Sequence, residues 1–149
     1  MSTVEEIKRD ILLRTKIGVL NTRERIYGVI ERCLQQYYGE YKPSSYIRTE
    51  QLLKSLVRES DFDGLGFEVY FDAGRLNYEN GVMELLHTPQ SGMYGWATWG
   101  ADEVLDTAMH GSHGGYAQGV AIWDDSMADL GDILLLIRRE LIAAGLPIK

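Results

Sequence analysis

Asp106, His110 and His113 are the residues of this chain whose types and spacing could hold a metal. His110-Gly-Ser-His113 puts two imidazoles three positions apart, and Asp106 precedes His110 by one helical turn. Two histidines and a carboxylate are a usable zinc set. The spacing matches neither HExxH nor a zinc knuckle, and the glycines around His113 suit a loop better than a rigid ligand frame. Ser112 between the histidines suggests a nucleophile with its base, but the G-x-S-x-G elbow is missing. His113-Gly114-Gly115 with Gly119 lacks the Lys-Ser/Thr and the GxGxxG order of phosphate loops, and a tight bend is its simpler task. Asp102-Glu103 and Asp124-Asp125 would work as acid and base only in a shared cleft, and helix capping already accounts for them. A glycosidase reading, with Trp96 and Trp99 as sugar platforms, has little else under it. The expectation is a protein that is not an enzyme, with no catalytic residue, no cofactor and no bound metal. The set Asp106, His110 and His113 stays open as the alternative.

Contact chemistry is better represented than reactive chemistry. Residues 88–119 are rich in glycine and aromatics, and a long stretch of this kind in a compact domain is often functional. Trp and Tyr are favoured at interface hot spots, and Arg brings a rigid hydrogen-bonding fork. Tyr46, Arg48, Trp96, Trp99 and Tyr116 are therefore the candidate interface residues. The plainer reading is that the two tryptophans close one end of the core and that Arg48 pairs with a local carboxylate.

The elements that must position these residues follow from periodicity. Ser2-Thr3 ahead of Glu5-Glu6 is a capping-box signature. Val4, Ile7 and Ile11 recur at helical spacing, giving a first helix to about Lys16 that stops at Gly18. This helix, within residues 1–18, packs on the core or serves as an arm that docks on a neighbour. Asn21 or Thr22 caps a second helix, with Ile26, Ile30, Cys33 and Tyr37 as its stripe and Gly39 as its left-handed end. Pro43 forces an extended passage, after which Leu52, Leu53 and Leu56 give one short buried face. Leu65, Phe67, Val69 and Phe71 alternate with other residues as in a strand, and Asp61-Phe62-Asp63-Gly64 turns it back onto a partner at about 56–61. A third strand spans Val82 to His87. Asp102 caps a short helix that stops at Gly111, and the remainder of 88–119 reads as loop. Trp123, Met127, Leu130, Leu134, Ile137 and Leu141 form a single seam on one long C-terminal helix ended by Gly145 and Pro147. That helix is apolar on other sides as well, which implies burial on more than one face.

These elements make one α+β domain over residues 1–149, with a small, mostly antiparallel sheet packed against the second helix and the long C-terminal helix. A chain of 149 residues with 45% apolar and 25% charged content is long enough for a real core. The longest apolar run, Ile133 to Ile137, is far too short to span a bilayer, and the acidic start is not that of a signal peptide. The single cysteine, Cys33, excludes an internal disulfide and sits where a small buried residue fits. Charge is polarised: residues 1–60 carry 11 Lys/Arg against 8 Asp/Glu, and residues 61–149 carry 4 against 14. The acidic part argues against nucleic acid as its partner. One basic and one acidic side suit head-to-tail packing in a homo-oligomeric ring.

The passage Tyr38-x-x-Tyr41-x-Pro43-x-x-Tyr46-x-Arg48-Thr49-x-x-Leu52-Leu53-x-Ser55 resembles that of small phage and prophage tail-completion, or head–tail connector, proteins. The ending LIAAGLPIK after a helix is similar too. The long loop at 88–119 departs from that pattern. The resemblance implies a virion assembly protein that acts by contacts with copies of itself and with other virion proteins. It would be found in the host cytoplasm during assembly and then in the virion. The alternatives are a small phage-encoded metal-dependent enzyme and a binding module that blocks a host protein through its acidic face.

Overall fold

The computed structural model describes residues 2–40, 51–76, 82–87, 94–99, 109–110 and 121–149, with 82–87 and 94–99 described by their backbone. The fold is α+β. Its described elements are helix α1 (Val4–Glu40), helix α2 (Gln51–Ser55), strands β1 (Leu56–Ser60) and β2 (Phe67–Phe71), a 3-10 turn (Ala73–Arg75), strands β3 (Val82–His87) and β4 (Tyr94–Trp99), and helices α3 (Ile122–Leu130) and α4 (Ile133–Ala143). The strands form two two-stranded sheets, β1–β2 and β3–β4. Among the described residues no helix is long and apolar enough to cross a membrane.

The two expected N-terminal helices are one. α1 runs 37 residues without a break, about 55 Å at 1.5 Å per residue. Gly18 does not stop it, because it serves as a point of close approach. A β-carbon there would lie 2.7 Å from Leu141 Cδ2 and 3.0 Å from Leu141 Cα. Thr22 does not cap a new helix either; its hydroxyl donates to the Gly18 carbonyl at 2.8 Å inside the continuous one. Gly39 lies within α1 rather than in a left-handed end.

The expected long C-terminal helix is two. Gly131 has φ 66°, and its N–H donates to the Met127 carbonyl at 3.0 Å, which closes α3. Asp132 then caps α4, its carboxylate accepting from Leu134 N at 2.9 Å and Leu135 N at 3.4 Å. Gly145, with φ 96°, ends α4 as the sequence suggests. Burial on several faces does not occur. Leu136 and Glu140 are buried, whereas Leu134, Leu135 and Ile142 are exposed.

The chain divides into two compact units. The first comprises Met1–Val29, Val57–Tyr70 and Met127–Lys149. In it α4 runs antiparallel to α1: Arg14 Nη1 donates to the Ala144 carbonyl at 3.4 Å, Gly18 meets Leu141, and Arg25 Nε pairs with Glu140 Oε1 at 2.7 Å. Thr22, Ile26, Val29, Leu136 and Glu140 are its buried residues. The β1–β2 hairpin lies along another side of α1. Arg58 stacks over the Tyr27 ring at 4.1 Å and pairs with Glu24 at 2.9 Å, Arg23 Nη1 donates to Ser60 Oγ at 2.7 Å, and Gly64 lies against the Lys16 side chain.

The second unit comprises Ile30–Leu56 and Phe71–Ser126. Its described core is Ile30, Cys33, Leu34, Tyr37, Leu52, Leu56, Leu76 and Ile122, so Cys33 is the buried small residue expected of it. Each such side chain contributes roughly 1.5–3 kcal/mol when a Leu- or Ile-sized surface leaves water. The buried hydroxyls of Ser55 and Ser126 donate to the Leu52 and Ile122 carbonyls at 2.7 and 2.5 Å, so neither is left unsatisfied. Asp72 N donates to the Ser55 carbonyl at 2.7 Å at the open end of the hairpin. β3 and β4 pair antiparallel, with Leu85 opposite Trp96 and Val82 opposite Trp99. The third strand thus has its expected bounds, while part of the expected loop 88–119 is strand β4.

Candidate functional site

The first turns of α1 form a helix that its own subunit does not cover. Thr3 and Glu6 make the expected capping box: Thr3 N donates to Glu6 Oε2 at 2.7 Å, and Glu6 N to Thr3 Oγ1 at 3.2 Å. Lys8 pairs with Glu5 at 3.2 Å and Arg14 with Asp10 at 2.8 Å, one turn apart along the helix surface. These local bonds hold the backbone helical, yet every residue from Ser2 to Leu13 is exposed. Five of them are large and apolar: Val4, Ile7, Ile11, Leu12 and Leu13, with Val4 at 67% exposure. Val4, Ile7 and Ile11 lie on the same face as Gly18, Thr22, Ile26 and Val29, which α1 buries further along. The core-facing stripe therefore runs on past its covering. Ile17 and Leu20 add exposed apolar surface on another side.

Beside this arm stands the β1–β2 hairpin. Asp61 N donates to the Gly66 carbonyl at 2.9 Å, and Gly64 N to the Asp61 carbonyl at 3.0 Å. Asp63 Oδ1 accepts from Leu65 N at 2.9 Å, and Gly64 takes the left-handed φ of 73° that such a bulged turn requires. Every bond of the turn is local. Phe62 at its apex is fully exposed, and Leu65 is 45% exposed. From Glu59 to Glu68 the hairpin carries four acids and no base, whereas residues 7–17 of α1 carry four bases and one acid.

The sequence-derived candidates are placed as follows. Trp96 and Trp99 are both on β4, at the register positions given above. Tyr46, Arg48 and Tyr116 lie outside the described residues, as do Asp106, Ser112 and His113. His110 is exposed, and its Nδ1 is 3.2 Å from Asp124 Oδ1, so its described carboxylate neighbour comes from α3. Asp125 of the same turn accepts from Ala121 N at 3.1 Å, as expected of a capping acid. Among the described residues there is no group of three His, Cys, Asp or Glu side chains placed to hold a metal. The structure adds one contact residue that periodicity did not single out, Phe62. Its signal is an aromatic at the second position of a D-x-D-G turn, where the side chain has no core to reach.

No family model, curated protein or solved structure matches this chain.

Proposed function

We propose that the protein is a virion assembly protein of a phage or prophage, acting at tail completion or head–tail joining. It works through contacts with its own copies and with other virion proteins, and without catalysis. The observation that carries the reading is the α1 arm, whose apolar side chains have no cover in their own subunit. Helices in water draw most of their stability from tertiary packing, and a bare apolar helix is stabilised when a partner covers it. Arg/Lys on the arm and carboxylates on the hairpin set two oppositely charged surfaces on one subunit, as head-to-tail assembly needs. The resemblance of the Tyr38–Ser55 passage and of the C-terminal ending to tail-completion proteins supplies the position in the virion.

The test is deletion of the gene from an inducible prophage that carries it, followed by electron microscopy of the induced lysate. Filled heads and tails that fail to join, or tails of wrong length, are the expected result. Normal infectious particles would overturn the assignment.

A further inference from the structure

We propose that the hairpin tip of one copy docks on the α1 arm of a second copy, Phe62 seating among Val4, Ile7, Ile11 and Leu12. This rests on the assembly reading and names the partner of the arm.

Two independent features of one chain fit each other. The first is a knob. Phe62 is fully exposed at the apex of a turn whose polar groups bond one another, so the ring is held out rigidly with nothing to pack on. A pre-ordered aromatic loses little conformational freedom on binding, which is why such side chains anchor interfaces. The second is an apolar stripe edged by cations. Lys8 lies one turn from Val4, Ile11 and Leu12, and Arg9 lies one turn from Leu12 and Leu13.

Charge selects the match. The ten residues Glu59–Glu68 have net charge −4, and the eleven residues Ile7–Ile17 have net charge +3. Asp61 and Asp63 flank Phe62, so a partner surface for it must be apolar at the centre and basic at the rim. An anionic lipid surface would repel the same tip. The arm of another copy meets the requirement. Within one copy the two do not satisfy each other: the hairpin rests on Lys16 through Gly64, while Phe62 and the arm from Ser2 to Leu13 stay exposed.

The contact is heterologous, since tip and arm are different patches. Each copy keeps one free tip and one free arm, and copies add head to tail until a ring closes. A single contact of this kind falls at the small end of interface sizes, so pairwise association is weak and closure strengthens it.

Sedimentation of the full-length protein over a range of concentrations, with Phe62→Ala and Ile7→Ala alongside, tests the contact. Self-association should weaken by roughly tenfold or more in each variant, as for loss of a hot-spot side chain. The thermal midpoint of Phe62→Ala should not move, because the side chain touches nothing in its own copy. Differently tagged Phe62→Cys and Ile7→Cys chains, with buried Cys33 left in place, should form a mixed disulfide on oxidation. Association unchanged in Phe62→Ala, or no mixed disulfide, would overturn the proposed contact while leaving assembly through another surface. A parent protein that stays monomeric at its highest soluble concentration would overturn it as well. The prophage deletion then judges the assembly role by itself.

Discussion

Residues 4–13 and 28–37 of α1 each hold five apolar side chains in ten positions. In the second window Val29, Ile30, Cys33, Leu34 and Tyr37 are all buried; in the first, Val4, Ile7, Ile11, Leu12 and Leu13 are all exposed. The same helix with the same apolar content thus has two different fates. Spacing explains part of it. The second window places its five residues at steps of one, three, one and three, a stripe that one packed surface covers. The first splits them, with Val4, Ile7 and Ile11 continuing the buried stripe and Leu13 turned elsewhere. Length explains the rest, because the α4 contacts reach α1 only as far back as Arg14. Apolar content therefore signals contact without saying whether the contact is made inside one copy or between copies.

Substitutions can break this comparison at either end. Leu34→Ala, in the covered window, should lose about 2–5 kcal/mol of stability, since the residue is fully buried and leaves a cavity. Chemical denaturation reads it as a lower midpoint. Gly18→Val should cost about 1–3 kcal/mol, because the new side chain meets the Leu141 backbone, which cannot rotate away. Gly28→Ala has the opposite sign. Nothing lies within 4 Å of the added carbon, so the gain in helix propensity, up to about 1 kcal/mol, should appear as a raised midpoint. Smallest of all, Ile11→Ala and Thr3→Ala in the arm should change global stability by less than about 0.5 kcal/mol. Thr3→Ala loosens the first turn only, which amide exchange of residues 4–7 reads as faster opening.

The parts of the fold that depend on local rules were legible in the chain. Thr3 and Glu6 cap as their spacing indicates, Phe67, Val69 and Phe71 alternate with exposed Glu68 and Tyr70, and Asp61–Gly64 turns the hairpin. Errors arose where one residue type serves two physical purposes. A glycine ends a helix or admits a neighbour, and Gly18 does the second because Leu141 approaches it, which is a tertiary fact. The reverse holds at Gly131-Asp132, where a stop and a cap stand side by side, and the apolar seam across them hid the signal. The contact surface was half legible. The arm was visible as a helix apolar on a face it had no evident need to bury. Phe62 was not, because a turn residue was assigned only a turn's role, and aromatics elsewhere drew the interface reading. The corresponding contact roles of Tyr46, Arg48, Trp96, Trp99 and Tyr116 stand as proposals.

Amide hydrogen exchange along α1, followed in dilute solution and again at the highest soluble concentration, tests the central claim most directly. Residues 29–37 should be protected in both, and residues 7–13 should exchange freely when dilute and become protected when concentrated. Protection of 7–13 that is strong at every dilution, or absent at every concentration, would contradict an arm that waits for a partner copy.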